Sequence, residues 1–135
     1  MKVWSAMYGI IWLAFLEIVL VLFSPFSRNI TDVIHLLMAV GLLAFAFYIY
    51  RNVRLTACPD RIKRITKTMW SLCILQAVLG VALVLGLALS WGGVYSGVMG
   101  FLHVGTALAI ITQASSSATA YDMWEEKEFL PSSAK

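Results

Sequence analysis

The chain holds only two histidines, and both stand inside apolar runs: His35 in ITDVIHLLMAVGLLAFAFYIY and His103 in GVMGFLHVGTALAII. Imidazole is a common ligand of transition metals. In hydrocarbon it cannot stand alone, because an unpaired polar group there is costly. Two ring nitrogens are too few for a closed zinc site, which takes four ligands. They suffice for a heme, whose porphyrin supplies four nitrogens and leaves the iron in need of axial ligands only. Each histidine is followed four positions later by alanine, His35 by Ala39 and His103 by Ala107. Residues so spaced share a helix face, and a small one leaves space beside a flat macrocycle. Gly100 and Gly105 thin the second of these helices further. The plainer alternative is that each imidazole hydrogen-bonds a neighbouring helix and the small residues only let helices approach.

Other polar groups stand near this pair. Glu17 lies in the first apolar run, at the depth of His35. A carboxyl group inside a membrane span is rare and functional by default. It could relay a proton, accept a bond from the far nitrogen of His35 and so fix that ring, or sit protonated and bonded to a neighbouring helix. Asp32 precedes His35 by three residues, on a first turn where the helix dipole favours a carboxylate. Arg28 is placed to pair with heme propionates at the outer surface, or to serve as a plain interfacial arginine. Gln76 reads as an interhelical hydrogen-bonding group, and Met38, Met69 and Met99 as packing. The serine run from Ser115 bonds its own backbone and has no base beside it, so it carries no nucleophilic triad. Cys58 and Cys73 lack CxxC spacing, and one sits in a basic loop of the kind that faces a reducing cytoplasm. They read as structural thiols.

The elements that must hold these groups are four apolar runs, at about 4–23, 29–50, 68–89 and 95–118. Each suits the roughly 30 Å hydrocarbon layer, which takes about 20 helical residues. A span whose backbone groups must bond internally is a helix, and short links force neighbouring helices antiparallel. The expected fold is all-α: an integral membrane four-helix up-down bundle over residues 1–118, both termini cytoplasmic. Residues 119–135 form a polar cytoplasmic tail, as a solvated end or a short interfacial helix. Asn29 or Thr31 is expected to cap the second helix. The second and fourth helices then run the same way. His35 falls roughly 9 Å and His103 roughly 12 Å inside the outer end, at 1.5 Å per residue. Rings pointing inward meet in one layer, which favours one heme b per chain over two separate hydrogen bonds.

Composition agrees with this. Apolar residues make up 61% and charged residues 13%, about half the charged share of a soluble domain. Six of the ten Lys and Arg lie between Arg51 and Lys67, which places the loop between the second and third helices in the cytoplasm. Trp4, Trp70 and Trp124 then mark the inner interface and Trp91 the outer. No aromatic or basic stripe extends the cluster, which speaks against nucleic acid as a partner. The N-terminal apolar run is too long for a signal peptide, has no A-x-A site after it, and reads as a retained span. The plasma membrane of a prokaryote or the inner mitochondrial membrane is the expected location.

The stretch CILQAVLGVALVLGLALSWGGVYSGVMGFLHVGTALAIITQAS resembles the last two helices of one half of a heme A synthase. That family has a QxxLG run, here Gln76, Leu79 and Gly80, then a short outer loop and HxxxA, here His103 and Ala107. TDVIHLLMAVGLLAFAFYIYRN is similar to the family's other histidine helix. The resemblance implies that His35 and His103 are the axial ligands of a b-type heme. It also puts Asp32 where the family's catalytic half has a glutamate. The chain is similar to one half of a two-half family. Leu36 and Val104 stand where an arginine often follows the histidine, and the outer cysteine pair has no counterpart. Heme binding therefore follows from the resemblance better than heme A synthesis does.

The expected function is a membrane b-type heme protein with a bis-histidine site, serving electron transfer or heme handling near a respiratory complex. Its expected partners are the lipid bilayer, heme, oxidase subunits or quinol, and a second copy of the chain. One alternative is a compact heme A synthase-like enzyme, oxidising a heme methyl group as an oligomer with Asp32 or Glu17 assisting. The other is a cofactor-free accessory subunit of a membrane complex.

Overall fold

The computed structural model describes residues 2–129 as four α-helices: α1 Val3–Phe23, α2 Arg28–Leu55, α3 Asp60–Ala88 and α4 Gly93–Phe129. Each is long and apolar enough to cross a membrane. Leu, Ala, Ile, Val and Met fill them, and Pro25 and Pro59 fall in the links, where a missing N–H breaks no helical ladder. Three helices outrun the apolar runs. α2 has 28 residues and α3 has 29, so the basic segment is helical at both ends and the link shrinks to residues 56–59. α4 has 37 residues, roughly 55 Å at 1.5 Å each, well beyond a hydrocarbon layer of about 30 Å. The polar tail expected at 119–135 is thus helical as far as Phe129, and residues 130–135 lie outside the described residues.

The helices form a ring in which α1 packs on α2 and α4, and α3 packs on α2 and α4. Among the described residues no backbone approach joins α1 to α3 or α2 to α4. These diagonal helices meet only through side chains that cross the centre. The buried faces follow the helical repeat: Met7, Ile10, Ala14 and Glu17 on α1; Leu42, Ala46, Ile49 and Val53 on α2. Ile62, Thr66, Met69 and Cys73 on α3, with Ile110, Ala114, Ser117 and Tyr121 on α4, complete the core. Cys58 and Cys73 are both free and buried, as structural thiols would be.

The helix ends correct one expectation. Ser27, and neither Asn29 nor Thr31, is the residue preceding α2, and it makes no side-chain cap. Thr31 already lies a full turn inside. Its hydroxyl donates to the Ser27 carbonyl at 3.2 Å and sits 2.7 Å from the Ser24 hydroxyl, the backward bonding typical of a helical threonine. α3 ends with Ser90 in the left-handed region at φ 56°. The Ser90 N–H donates to Leu87 and the Trp91 N–H to the Gly86 carbonyl, the paired bonds of a Schellman turn. Gly92, at φ 90°, then admits the chain into α4. Tyr95 braces this link by donating its hydroxyl to the Ala82 carbonyl at 2.9 Å.

Candidate functional site

α2 brings His35, and the diagonal helix α4 brings His103, to the bundle centre with ring centroids 6.2 Å apart and planes 65° apart. The two rings bridge helices whose backbones do not touch. Both are partly buried, and both Nδ1 atoms are buried without a hydrogen bond. The matched depth expected of these residues is therefore met as contact.

Each ring faces a different neighbour. His35 Nδ1 lies 4.0 Å from Glu17 Oε1 on α1, about 1 Å beyond hydrogen-bond length. Glu17 is only 7% exposed, and Oε1 has no other partner. His103 leans on α3 at Gly80, where an added Cβ would stand 3.3 Å from its Cε1 and 3.9 Å from its Nδ1. The Gln76 backbone faces the same ring. The two facts have one cause. In a helix the carbonyl of residue 76 points toward residue 80, and a glycine there leaves that oxygen uncovered. The two nitrogens of an imidazole point in different directions. Rings that turn Nδ1 toward α1 and α3 have Nε2 left over for a shared ligand.

The remaining candidates divide. Gly100 is partly buried, and an added Cβ would meet nothing within 4 Å, so there is open space one turn from His103. Ala39 and Ala107 are partly buried one turn from their histidines. Gly105 is exposed and faces away. Arg28 and Asp32 are exposed. With Ser24, Thr31 and His35 they line a cleft of about 360 Å³ whose apolar side is Val21, Leu22 and Phe26. The cleft thus joins residues of the α1–α2 link to the His35 ring. The Gln76 side chain does not make the interhelical bond expected of it, since its Oε1 is buried and unpaired. Its backbone faces the site instead. Ser117 also departs from expectation: its hydroxyl is buried without a partner rather than bonded to its own helix.

Among the described residues, no group of three His, Cys, Asp or Glu could hold a bare metal ion. The donor set is two imidazoles, which suits an ion that arrives with most of its ligands. Fold and site together define an all-helical membrane bundle with paired imidazoles at its centre. Comparison with known proteins adds nothing to this class: no family model, no characterised protein and no solved structure matches the chain.

Proposed function

We propose that the protein is an up-down membrane bundle holding one b-type heme between His35 and His103, for electron transfer or heme handling beside a respiratory complex. The observation that carries this is the approach, from diagonal helices, of two imidazoles whose Nδ1 atoms lack hydrogen bonds, 6.2 Å between centroids. Metal–imidazole bonds are about 2.0–2.1 Å, and a ring nitrogen lies roughly 1.1 Å from its ring centre. One metal gripped between two facing nitrogens therefore sets the centroids roughly 6.3 Å apart. The observed separation of 6.2 Å matches that distance.

Antiparallel order is supported by the pairs along α1 and α2. Gly9 packs by Phe45, Leu13 by Gly41 and Glu17 by His35, so one number rises as the other falls. The basic segment around residues 51–67 then marks the cytoplasmic side, and Arg28 and the His35 cleft lie on the other. A bound heme would supply a one-electron couple in low dielectric. The chain's part is to hold and orient: His35 and His103 provide the axial nitrogens, and Gly100 and Ala107 leave the face beside His103 low. Arg28 offers a cation where propionate carboxylates would emerge.

The test is the absorption spectrum of the purified membrane protein and of His35→Ala and His103→Ala. A reduced b-type spectrum in the parent, lost or converted to a mono-histidine form in each variant, is expected. A colourless parent, or either variant with full heme and an unchanged spectrum, overturns the reading.

A further inference from the structure

Glu17 has no packing reason to stand where it does. Met7, Ile10 and Ala14 continue the same buried stripe of α1 with apolar side chains, and burying a carboxyl group in such a stripe is costly unless it is bonded. The buried Cys73 thiol on α3 lies close enough to feel its charge, but the nitrogen that stands opposite Oε1 is His35 Nδ1, at 4.0 Å, and both atoms lack any hydrogen bond. On the far side of the site, His103 leans on α3 at Gly80, with no carboxyl group as neighbour among the described residues and its Nδ1 likewise unbonded.

We infer that Glu17 is a positioning residue for His35: its carboxyl oxygen accepts the Nδ1–H, so that Nε2 of that ring faces the bundle centre as a strong donor. This rests on the heme reading above. A carboxyl group has an acceptor oxygen whether ionised or neutral, so it can orient the ring in either state, while its effect on ligand strength belongs to the ionised form. The paired ligands are then deliberately unequal. A carboxylate acceptor makes a histidine a more basic ligand, and among the described residues the His103 side has no carboxyl group beside its ring. His35 becomes the ligand that stabilises the oxidised iron.

Glu17→Gln keeps an acceptor oxygen, and Glu17→Leu removes it while leaving an apolar residue in an apolar stripe. The Leu variant should therefore insert and fold at least as well as the parent. Heme content, midpoint potential and the electron paramagnetic resonance of the oxidised form are measured on each purified protein. The potential is expected to rise in the order Glu, Gln, Leu, with a change in the resonance anisotropy of the low-spin iron. Purely structural support would leave both unchanged in molecules that retain heme. If the parent holds heme and the Leu variant keeps the parent's potential and resonance, the positioning role is wrong and the ligand pair stands. If the parent holds no heme, the ligand pair itself is wrong.

Discussion

Gly80 gives the sharpest test of the proposed site, because it touches His103 without being a proposed ligand itself. A Cβ built there stands 3.3 Å from His103 Cε1. Ordinary contact between carbons is about 3.5–4.0 Å, so Gly80→Ala obliges the ring to retreat by roughly 0.2–0.7 Å. Metal–ligand distances tolerate about 0.2 Å. The alanine side chain therefore asks for about as much displacement as the site can absorb, or a few times more. Gly80→Val places a further carbon roughly 1.5 Å beyond the Cβ and asks for far more than the site can give. It also covers the Gln76 carbonyl that faces the ring. The helix itself gains from either change, since glycine in a helix interior costs about 1 kcal/mol relative to alanine.

The two effects have opposite signs in different assays. Circular dichroism and detergent-unfolding should show Gly80→Ala at parental stability or slightly above. The heme spectrum and the rate of heme transfer to an excess of a soluble heme acceptor should show weakened ligation. A misplacement costing about 1.4 kcal/mol is a tenfold loss of affinity. Gly80→Val should keep the helical signal and lose the bis-histidine spectrum. Full heme and an unaltered spectrum in a helical Gly80→Val protein would refute the reasoning, because the ring could not then be where the structure puts it.

Three further outcomes are expected. Met69→Ala, at a fully buried position, should lower stability by about 2–5 kcal/mol in heme-free protein, read by unfolding in mixed micelles; a smaller loss would mean that the core is looser than the structure shows. Ser90→Gly should raise stability by about 1 kcal/mol, because Ser90 holds φ 56° and glycine carries no Cβ penalty there. Arg28→Gln should leave the bis-histidine spectrum intact and weaken heme retention by at most about fivefold, the roughly 1 kcal/mol ceiling for an exposed ion pair; total loss of heme would make Arg28 more than a rim contact.

The four spans were legible because a bilayer imposes one rule on sequence, a run of about 20 apolar residues per crossing. Their ends were not, because a helix does not stop where hydrocarbon does. Arg51 to Leu55, Asp60 to Lys67 and the acidic turn from Asp122 onward are helical, although no apolar signal marks them. The meeting of His35 with His103 could be reached from depth alone, since 1.5 Å per residue puts both at one level. Depth also brought Glu17 to His35. It could not separate Glu17 from Asp32, which sits at a similar level. Rotation about the helix decides that: Glu17 is buried toward the ring, while Asp32 is exposed on the outer cleft. The role of Gly80 was hidden for a different reason. Its motif was visible, but what it presents is a backbone oxygen four residues away, and no side-chain pattern records that.

The same geometry bears on what the iron would be for. Were His35 and His103 both to ligate the proposed heme, they would fill its two axial positions, whereas a metal that activates oxygen or a substrate keeps one position open. Opening one here means withdrawing His35 or His103. His35 stands beside buried Glu17 and His103 against Gly80, and each is carried by a helix with a packed core at its other half. Exchange of an electron needs no such movement, and a rigid ligand pair lowers the reorganisation that accompanies it. A heme-modifying enzyme would need a second macrocycle as substrate, and one chain offers one histidine pair. The chain would then have to supply the second site from a second copy. Carbon monoxide separates the cases: a reduced protein that does not bind it has both positions filled, as electron transfer requires, whereas prompt binding would show a position that opens and would turn the argument toward the enzyme.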